Sequence, residues 1–212
     1  MKTCRIFGSA PINGVIPNTE NEDLIIAADG GYDALLRLGI APDVVLGDFD
    51  SLSGGYPTGG FGGRLEVVRH PIEKDDTDTG LAVKVGLERG YKVFELYGCL
   101  GGERFDHSIA TLQTLAFVAE NGAFGVAFDG DTSVTVIKNG EKIFSDECEG
   151  DLSVFAFGGK CDGVTIENAK YTLTNAELSP DFPVGVSNSF VKGRKTRVAV
   201  KNGKLLVIWK EQ

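Results

Sequence analysis

The first 130 residues alternate between short apolar runs and longer segments in which apolar positions recur with helical spacing. Residues 24–28 (LIIAA) form a continuous apolar run followed by Asp29-Gly30-Gly31, which is typical of a buried parallel strand that leads into a tight turn. Helical spacing extends over residues 77–89 and 106–120, and a glycine lies just beyond each segment. The other predicted elements of this half are a strand-like segment at 1–7, a short helix at 32–38 and strands at 44–46, 65–69, 93–97 and 124–128. Strands that alternate with helices predict a parallel sheet covered on both faces.

From residue 131 onward the helical spacing disappears, and short β-rich runs are separated by turn residues. Asn139-Gly140 and Asn202-Gly203 each lie between such runs, and Asn-Gly tolerates the positive φ angles of a type I′ hairpin turn. We therefore predict antiparallel hairpins arranged as a sandwich or a barrel. The chain is then an α/β protein with two domains, a parallel-sheet domain over residues 1–130 and an antiparallel β domain over residues 131–212.

Composition and charge narrow the classes of function. The formal net charge of -9 argues against general nucleic-acid binding, which requires a basic surface. The sequence has no apolar run of about 18 residues that would span a membrane. Its four cysteines are scattered and lack the spacing of a zinc site. The N-terminal residues show no secretory signal, so we expect a cytoplasmic protein with small-molecule partners, without nucleic-acid or membrane binding.

Four polar segments, three of which contain glycine, follow the predicted parallel strands. In an open parallel sheet, ligands bind beyond the carboxyl ends of the strands, so we expect these segments to converge on one site. The segments are residues 29–31, 47–51, 73–78 and 98–107.

Asp48 and Asp50 lie two residues apart on a chain that leaves a strand. Carboxylates with this spacing point to the same side and can share one cation. Magnesium prefers one or two carboxylates together with phosphate oxygens and water, so the pair fits half of a magnesium site. An isolated pair of this kind also occurs in an Asx-turn with solvated acids, and that alternative remains open for these two residues considered alone.

A second acidic group, Asp75, Asp76 and Asp78, lies at the start of the predicted helix. Acids in a first turn interact favourably with the helix dipole, and Thr77 or Asp76 is a candidate N-cap. Three acids in four residues exceed what capping requires, so we expect Asp78, with Asp75 as a further candidate, to complete the metal site. Lys74 would supply positive charge for phosphate.

The segment over residues 98–107 combines Gly101 and Gly102, whose backbone N–H groups can approach an anion, with Arg104, which is suited to phosphate oxygens. Asp106 either caps the helix that it begins or accepts a hydrogen bond from a substrate. His107 is more typical of a structural residue than of a catalytic base. The sequence contains no P-loop, no dinucleotide-binding glycine fingerprint and no nucleophile elbow, which disfavours the common nucleotide-binding and hydrolase classes.

Taken in order, these segments resemble the thiamine pyrophosphokinase family, and the resemblance covers nearly the whole chain. The matching motifs are Ala28-Asp29-Gly30-Gly31, Gly47-Asp48-Phe49-Asp50-Ser51, Lys74-Asp75-Asp76-Thr77-Asp78, Gly98 through Gly101-Gly102 to Arg104-Phe105-Asp106-His107, Asn168-Ala169-Lys170-Tyr171 and Gly185-Val186-Ser187-Asn188-Ser189-Phe190.

The resemblance implies a homodimer that transfers the pyrophosphoryl group of ATP to the hydroxyethyl oxygen of thiamine and releases AMP. It also implies an α/β catalytic domain followed by a C-terminal antiparallel β-sandwich, with thiamine bound at the dimer interface. By this resemblance the Mg²⁺ ligands are Asp48, Asp50 and Asp78, and the catalytic residues are these three together with Arg104 and Asp106. The implied ATP-binding residues are Asp29, Gly30, Lys74, Asp75, Thr77, Gly101, Gly102 and Arg104. The implied thiamine-binding residues are Ser187, Asn188 and Tyr171.

The chain departs from the family pattern at the acceptor pocket. Some members stack an aromatic side chain, often Trp, on the thiamine ring, but the only tryptophan of this chain is Trp209, in the predicted last strand. Tyr171 or Phe190 could replace it, although a core role fits either residue equally well. Thr172 also stands where the family has proline after the tyrosine.

Two other classes of function are consistent with part of the pattern. A glycosyltransferase that uses a nucleotide sugar and a divalent metal would explain Asp48 and Asp50, but it leaves the other polar segments without a role. A non-enzymatic thiamine- or nucleotide-binding regulator is disfavoured because clustered acids are costly in a pure binding protein.

Overall fold

The computed structural model describes residues 2–14, 22–47, 65–69 and 76–210. Within these ranges the first half contains six parallel strands in the spatial order β6-β5-β1-β2-β3-β4. They are β1 (Thr3–Phe7), β2 (Leu24–Ala28), β3 (Val44–Gly47), β4 (Glu66–Arg69), β5 (Val93–Tyr97) and β6 (Phe124–Asp129). The helices are α1 (Gly31–Leu38), α2 (Asp78–Glu88) and α3 (Phe105–Glu120).

Both faces of this parallel sheet are covered, as the sequence predicts. Neighbouring residues of one strand point to opposite faces, so Ile6 packs in the cluster formed with α2 and α3, whereas Phe7 packs in the cluster that contains Tyr32 and Leu35 of α1. All three of Ile6, Phe7 and Leu35 are fully buried. Burial on two faces explains why these strands are continuous apolar runs rather than alternating ones.

The strand order reverses direction between β1 and β5. From β1 the chain adds β2, β3 and β4 on one side, and it then returns to place β5 and β6 on the other. The chain thus leaves β1 toward β2 on one side and leaves β5 toward β6 on the other, and an open parallel sheet forms its ligand crevice at the carboxyl ends of two such strands.

The second half extends the same sheet and adds a smaller one. Strand β7 (Thr132–Lys138) pairs antiparallel with β6. Among the described residues the large sheet has ten strands, in the order β12-β9-β14-β7-β6-β5-β1-β2-β3-β4. The added strands of this sheet are β9 (Asp151–Ala156), β12 (Asn188–Ser189) and β14 (Lys204–Lys210). The smaller antiparallel sheet has the order β11-β10-β13-β8, formed by β8 (Glu141–Ile143), β10 (Cys161–Glu167), β11 (Leu173–Leu178) and β13 (Arg197–Ala199).

An apolar core packs the small sheet against the antiparallel end of the large one. Leu152, Leu205 and Val207 contribute from the large sheet, and Val164 and Val198 contribute from the small sheet. The predicted fold class, an α/β unit followed by an antiparallel β-sandwich, is confirmed. The boundary at residue 130 stays a prediction, since β6 and β7 pair directly across it.

The prediction of hairpins at the two Asn-Gly pairs is wrong. Strands β7 and β14 belong to the large sheet, whereas β8 and β13 belong to the small one, so each Asn-Gly turn carries the chain from one sheet to the other. The two turns also bind each other: the Asn139 N–H donates to the Gly203 carbonyl (3.1 Å), and the Gly203 N–H donates to Asn139 Oδ1 (2.8 Å). Each pair has one residue at positive φ, Asn139 at 44° and Gly203 at 111°, instead of the two that a type I′ turn requires.

Lys142 of β8 lies among three aromatic rings where the small sheet meets the large one. Its Nζ is 5.0 Å from the centroids of Phe124 and Phe144 and 5.1 Å from that of Trp209. Trp209 is 5% exposed and belongs to the apolar core of the second half. No helix within the described residues is both long and apolar enough to cross a membrane.

Candidate active site

A cleft of about 690 Å³ lies at the carboxyl ends of β1 and β5, where the strand order reverses. This volume falls within the usual range for small-molecule sites. Its walls are formed by the segment after β1, the end of β2, the start of α2, the loop between β5 and α3, and the first turns of α3. Three of the four polar segments identified in the sequence contribute described residues to this cleft.

The floor of the cleft is made of backbone. The Gly8 N–H donates to the Tyr97 carbonyl (2.8 Å), and the Ala10 N–H donates to the Gly98 carbonyl (2.9 Å). A Cβ on Gly8 would lie 2.5 Å from the Gly98 carbonyl oxygen, so a side chain there would separate the two segments. Residues 8–11 were not identified from the sequence as part of the site, although the same rule about strand ends applies to β1.

Asp29 lies at the end of β2 and lines the cleft with a left-handed backbone, at φ 47°. Its backbone N–H donates to the Leu46 carbonyl (2.8 Å), which ties the turn to β3. Gly31 begins α1 and is required by close packing, because a Cβ there would lie 1.8 Å from the Phe7 carbonyl oxygen. Gly30 supports this turn and does not line the cleft.

The acids at the start of α2 have different partners. Thr77 is the N-cap, since its Oγ1 accepts a hydrogen bond from the Gly80 N–H (3.1 Å). Asp76 forms an ion pair with Lys84 (2.6 Å) in the groove between α2 and α3, whereas Asp78 lines the cleft. Asp48, Asp50, Lys74 and Asp75 lie outside the described residues. Within the described ranges no three His, Cys, Asp or Glu side chains come together as a metal site.

Arg104 and Asp106 form a bidentate ion pair at the start of α3. Arg104 Nε donates to Asp106 Oδ1 (3.0 Å), and Arg104 Nη2 donates to Asp106 Oδ2 (2.6 Å). These hydrogen bonds lower the pKa of Asp106 to about 2 and raise that of Arg104. Both side chains are about two-thirds exposed, at 66% and 65%, so the guanidinium is accessible from the cleft that it lines.

The loop between β5 and α3 is anchored to the helix that follows it. The Gly101 N–H donates to Ser108 Oγ (3.0 Å), and Thr111 Oγ1 donates to the Cys99 carbonyl (2.6 Å). Burial raises the pKa of the Cys99 thiol to about 11, so this cysteine lines the cleft in its neutral form. The Gly101 N–H, an expected ATP-binding group, thus has an internal acceptor.

Comparison with known proteins identifies the family. The family model for the thiamin pyrophosphokinase catalytic domain matches residues 17–124, and the model for the thiamin pyrophosphokinase vitamin B1 binding domain matches residues 141–205. The chain belongs to the thiamin pyrophosphokinase family. A thiamine pyrophosphokinase of Bacillus subtilis (strain 168) is 29% identical over 206 residues, which cover 92% of this chain and 93% of the relative.

Solved structures of the thiamin pyrophosphokinase family share the fold. The crystal structure of thiamine pyrophosphokinase from Bacillus subtilis superposes with a TM-score of 0.84 at 25% identity, covering 99% of both chains. The enzyme from Geobacillus thermodenitrificans superposes with a TM-score of 0.81 at 23% identity, covering 100% of this chain and 98% of the other. At 18% identity, yeast thiamin pyrophosphokinase superposes with a TM-score of 0.74 over 99% of this chain and 86% of its own. The last two show likeness of fold alone.

The residues that the family resemblance assigns to thiamine lie in the β-sandwich, and none of them lines the cleft of the same chain. Tyr171 is 60% exposed and Ser187 is exposed at φ 58°, whereas Asn188 is 3% exposed. Asn188 Oδ1 accepts hydrogen bonds from the N–H groups of Tyr171 and Ser189 (2.9 Å each), and Asn188 Nδ2 donates to the Tyr171 carbonyl (2.7 Å). Phe190 is a core residue that packs on Phe144 at 5.1 Å between ring centroids. Of the two aromatic candidates for stacking on thiamine, only Tyr171 is exposed.

Proposed function

We propose that this protein transfers the pyrophosphoryl group of ATP to thiamine, and that the cleft between β1 and β5 binds the triphosphate. The ordered match of both family domains along one chain carries this proposal. The position of the cleft supports it, because open parallel sheets bind nucleotides where the strand order reverses. Asp29, Asp78 and Arg104 line this cleft and supply the charged groups that a metal-bound polyphosphate requires.

We propose a magnesium site formed by Asp48, Asp50 and Asp78. Asp78 lines the cleft, and Asp29 lies on its wall as a further carboxylate, so the described donors have the oxygen chemistry that Mg²⁺ prefers. When bound, the ion would neutralise charge on the polyphosphate.

The side chains of this chain then have separate tasks. The exposed guanidinium of Arg104 is oriented by its ion pair with Asp106. When ATP binds, Arg104 would release the Asp106 carboxylate and bind phosphate oxygens, which present a similar geometry. Lys74 would add a second positive charge. The transfer depends on holding the thiamine hydroxyl in line with the β-phosphorus of ATP, so that the new O–P bond forms as the bond to AMP breaks. Gly101 contributes to this site through the backbone conformation that it adopts, since its N–H already has an internal acceptor. The Thr77 hydroxyl accepts a hydrogen bond from the Gly80 N–H and can still donate its proton to a phosphate oxygen.

We further propose a homodimer in which the β-sandwich of one subunit, over about residues 131–212, supplies thiamine contacts to the cleft of the other. Ser187 and Tyr171 are exposed but do not line their own chain's cleft, which is the arrangement that such a shared site requires. Large apolar side chains are exposed both beside the cleft and on the sandwich, as expected of surfaces that associate. They are Phe105, Ile109, Tyr171, Phe182, Val184 and Val186. Sedimentation equilibrium at micromolar concentration should give twice the mass of the chain, and a monomer at all concentrations would refute the shared site.

One assay tests the activity. The purified chain, incubated with ATP, Mg²⁺ and thiamine, should produce AMP and thiamine diphosphate in equal amounts. Asp48→Asn should lower turnover by orders of magnitude and leave the circular dichroism spectrum unchanged. Asp162→Asn, which changes an exposed carboxylate of β10, serves as the matched control and should retain full activity. Near-normal turnover of Asp48→Asn at saturating Mg²⁺ would refute the metal assignment, whereas the absence of both products with the wild-type chain would refute the proposed activity.

A further inference from the structure

The loop that joins β5 to α3 forms one wall of the cleft and contains three glycines in left-handed conformations. Gly98 has φ 61°, Gly101 has φ 69° and Gly102 has φ 72°. Glycine readily occupies several backbone regions, so its sequence alone leaves this loop with many accessible conformations. Other residues must therefore select the conformation that is observed.

Two hydroxyl groups of α3 hold the loop. Ser108 Oγ accepts a hydrogen bond from the Gly101 N–H (3.0 Å), and Thr111 Oγ1 donates to the Cys99 carbonyl (2.6 Å). Ser108 and Thr111 are three residues apart and therefore lie on the same face of the helix. Thr111 is only 3% exposed, so water competes weakly for its hydrogen bond, whereas the bond between Ser108 and Gly101 lies at an exposed position.

The opposite side of the loop rests on the end of β6. Asp129 Oδ2 lies 2.7 Å from the position that a Cβ on Gly101 would occupy, and Asn13 Nδ2 donates to Asp129 Oδ1 (3.1 Å). Gly101 is thus confined between a hydroxyl of α3 and a carboxylate of β6. Its N–H points to the hydroxyl, and a side chain at this position would collide with the carboxylate.

Because the Gly101 N–H is used within the protein, the donors left for a ligand are those that follow it along the chain. The Gly101 N–H is directed to Ser108, while the N–H groups of Gly102 and Glu103 have no protein acceptor within the described part of the chain. Gly102 and Glu103 both line the cleft beside Arg104. We propose that Ser108 is a positioning residue for ATP binding, which acts by fixing the Gly101 peptide so that the next two N–H groups are presented to phosphate. This inference rests on the proposed function of the cleft.

The test compares ATP affinity in Ser108→Ala and Ser108→Thr, measured by isothermal titration calorimetry with Mg²⁺ present. Loss of a single hydrogen bond that orients the loop should weaken ATP binding about five- to tenfold. Threonine keeps the hydroxyl group, so Ser108→Thr should bind within about twofold of the wild type. In steady-state assays the KM for ATP should rise in Ser108→Ala while the KM for thiamine stays the same, a separation that general destabilisation would not produce.

Ser145→Ala provides the matched control, because Ser145 Oγ also accepts a hydrogen bond from a backbone N–H (Glu147, 3.2 Å) but lies in the β-sandwich half. It should leave the affinity for ATP unchanged. Gly101→Ala offers a second route, since a Cβ at this position would displace the loop from Asp129 and should weaken ATP binding at least as much. Wild-type affinity in folded Ser108→Ala would overturn the positioning role alone. A wild-type chain that binds no ATP would overturn this role and the proposed function together.

Discussion

Asn188 could contact thiamine or support the backbone, and the sequence alone does not distinguish these two roles. Its side-chain amide makes three hydrogen bonds to the backbone, two to Tyr171 and one to Ser189, and the residue is 3% exposed. The Lys170 N–H also donates to the Ser189 carbonyl (3.0 Å), so the amide secures an irregular segment to the edge strand β12. The geometry predicts that Asn188→Ala lowers the stability of the protein and does not directly remove a contact to thiamine.

The size of the effect follows from these three hydrogen bonds. Each contributes about 1 kcal/mol net, so their loss should lower the free energy of unfolding by about 3 kcal/mol. In a chain of 212 residues this corresponds to a fall in Tm of about 6–12 °C. Asn188→Asp keeps the acceptor oxygen but loses the donor and places a second oxygen against the Tyr171 carbonyl, so it should also destabilise the protein.

Differential scanning fluorimetry measures the change in Tm, and steady-state kinetics measures the KM for thiamine in the same variants. Asn202→Ala removes an exposed asparagine side chain from the turn between sheets and should change Tm by less than about 2 °C. If Asn188→Ala melted at the wild-type temperature and showed a raised KM for thiamine, the structural role would be wrong and direct substrate contact would be correct.

Three further predictions follow from individual contacts. Lys142→Met keeps the apolar stem but removes the charge from among three aromatic rings, so it should lower the free energy of unfolding by about 1–2 kcal/mol in urea denaturation. Lys142→Arg keeps the charge and should retain most of the wild-type free energy of unfolding. Arg104 holds the folded-state pKa of Asp106 at about 2, below its ordinary 3.8. Their pairing therefore stabilises the protein above pH 3.8, and this stabilisation is lost as the pH falls through about 2. Carboxyl NMR titration should show that the pKa of Asp106 rises in Arg104→Ala. Gly31→Ala should cost more than about 3 kcal/mol or prevent folding, since its Cβ would lie 1.8 Å from a backbone oxygen of β1, whereas Gly159→Ala, with open space around it, should be tolerated in the same denaturation assay.

The parallel half of the fold could be predicted from the sequence to within one or two residues at most element ends. Strand β2 and helix α1 follow from an apolar run, a turn and a short amphipathic segment, because burial on two faces requires continuous apolar strands. The Asn-Gly turns show where such local reasoning ends. Asn139 favours a turn in either setting, but only the packing of two sheets determines whether the next strand pairs with the previous one or crosses to the opposite layer.

Within the site, the sequence predicted which segments meet but not the partners of each polar group. Strand ends could be located from apolar runs, and the topology rule then brings Asp29, Asp78 and Arg104 to one cleft. The hydrogen bonds of Thr77 and Asn188 depend on side-chain directions that arise only after the elements pack. Residue type identified these two as polar and well placed, whereas the three-dimensional contacts show that their side chains bind the protein itself.

Glycines directly follow β1 and β5 for the same physical reason, and this reason also shows why residues 8–11 belong to the site. Where β1 and β5 end side by side, the chain continues in two segments whose backbones touch: a Cβ on Gly98 would lie 2.7 Å from the Ala10 carbonyl oxygen, and one on Gly8 would lie 2.5 Å from the Gly98 carbonyl oxygen. Backbone contact at the floor leaves the volume above it open and places the larger side chains, such as Arg104, at the rim of the cleft. A glycine directly after a buried parallel strand is therefore a geometric requirement of a cleft at this position. The same criterion, a glycine directly after a buried parallel strand, identifies Gly8 after β1. It therefore predicts that residues 8–11 contribute to the site.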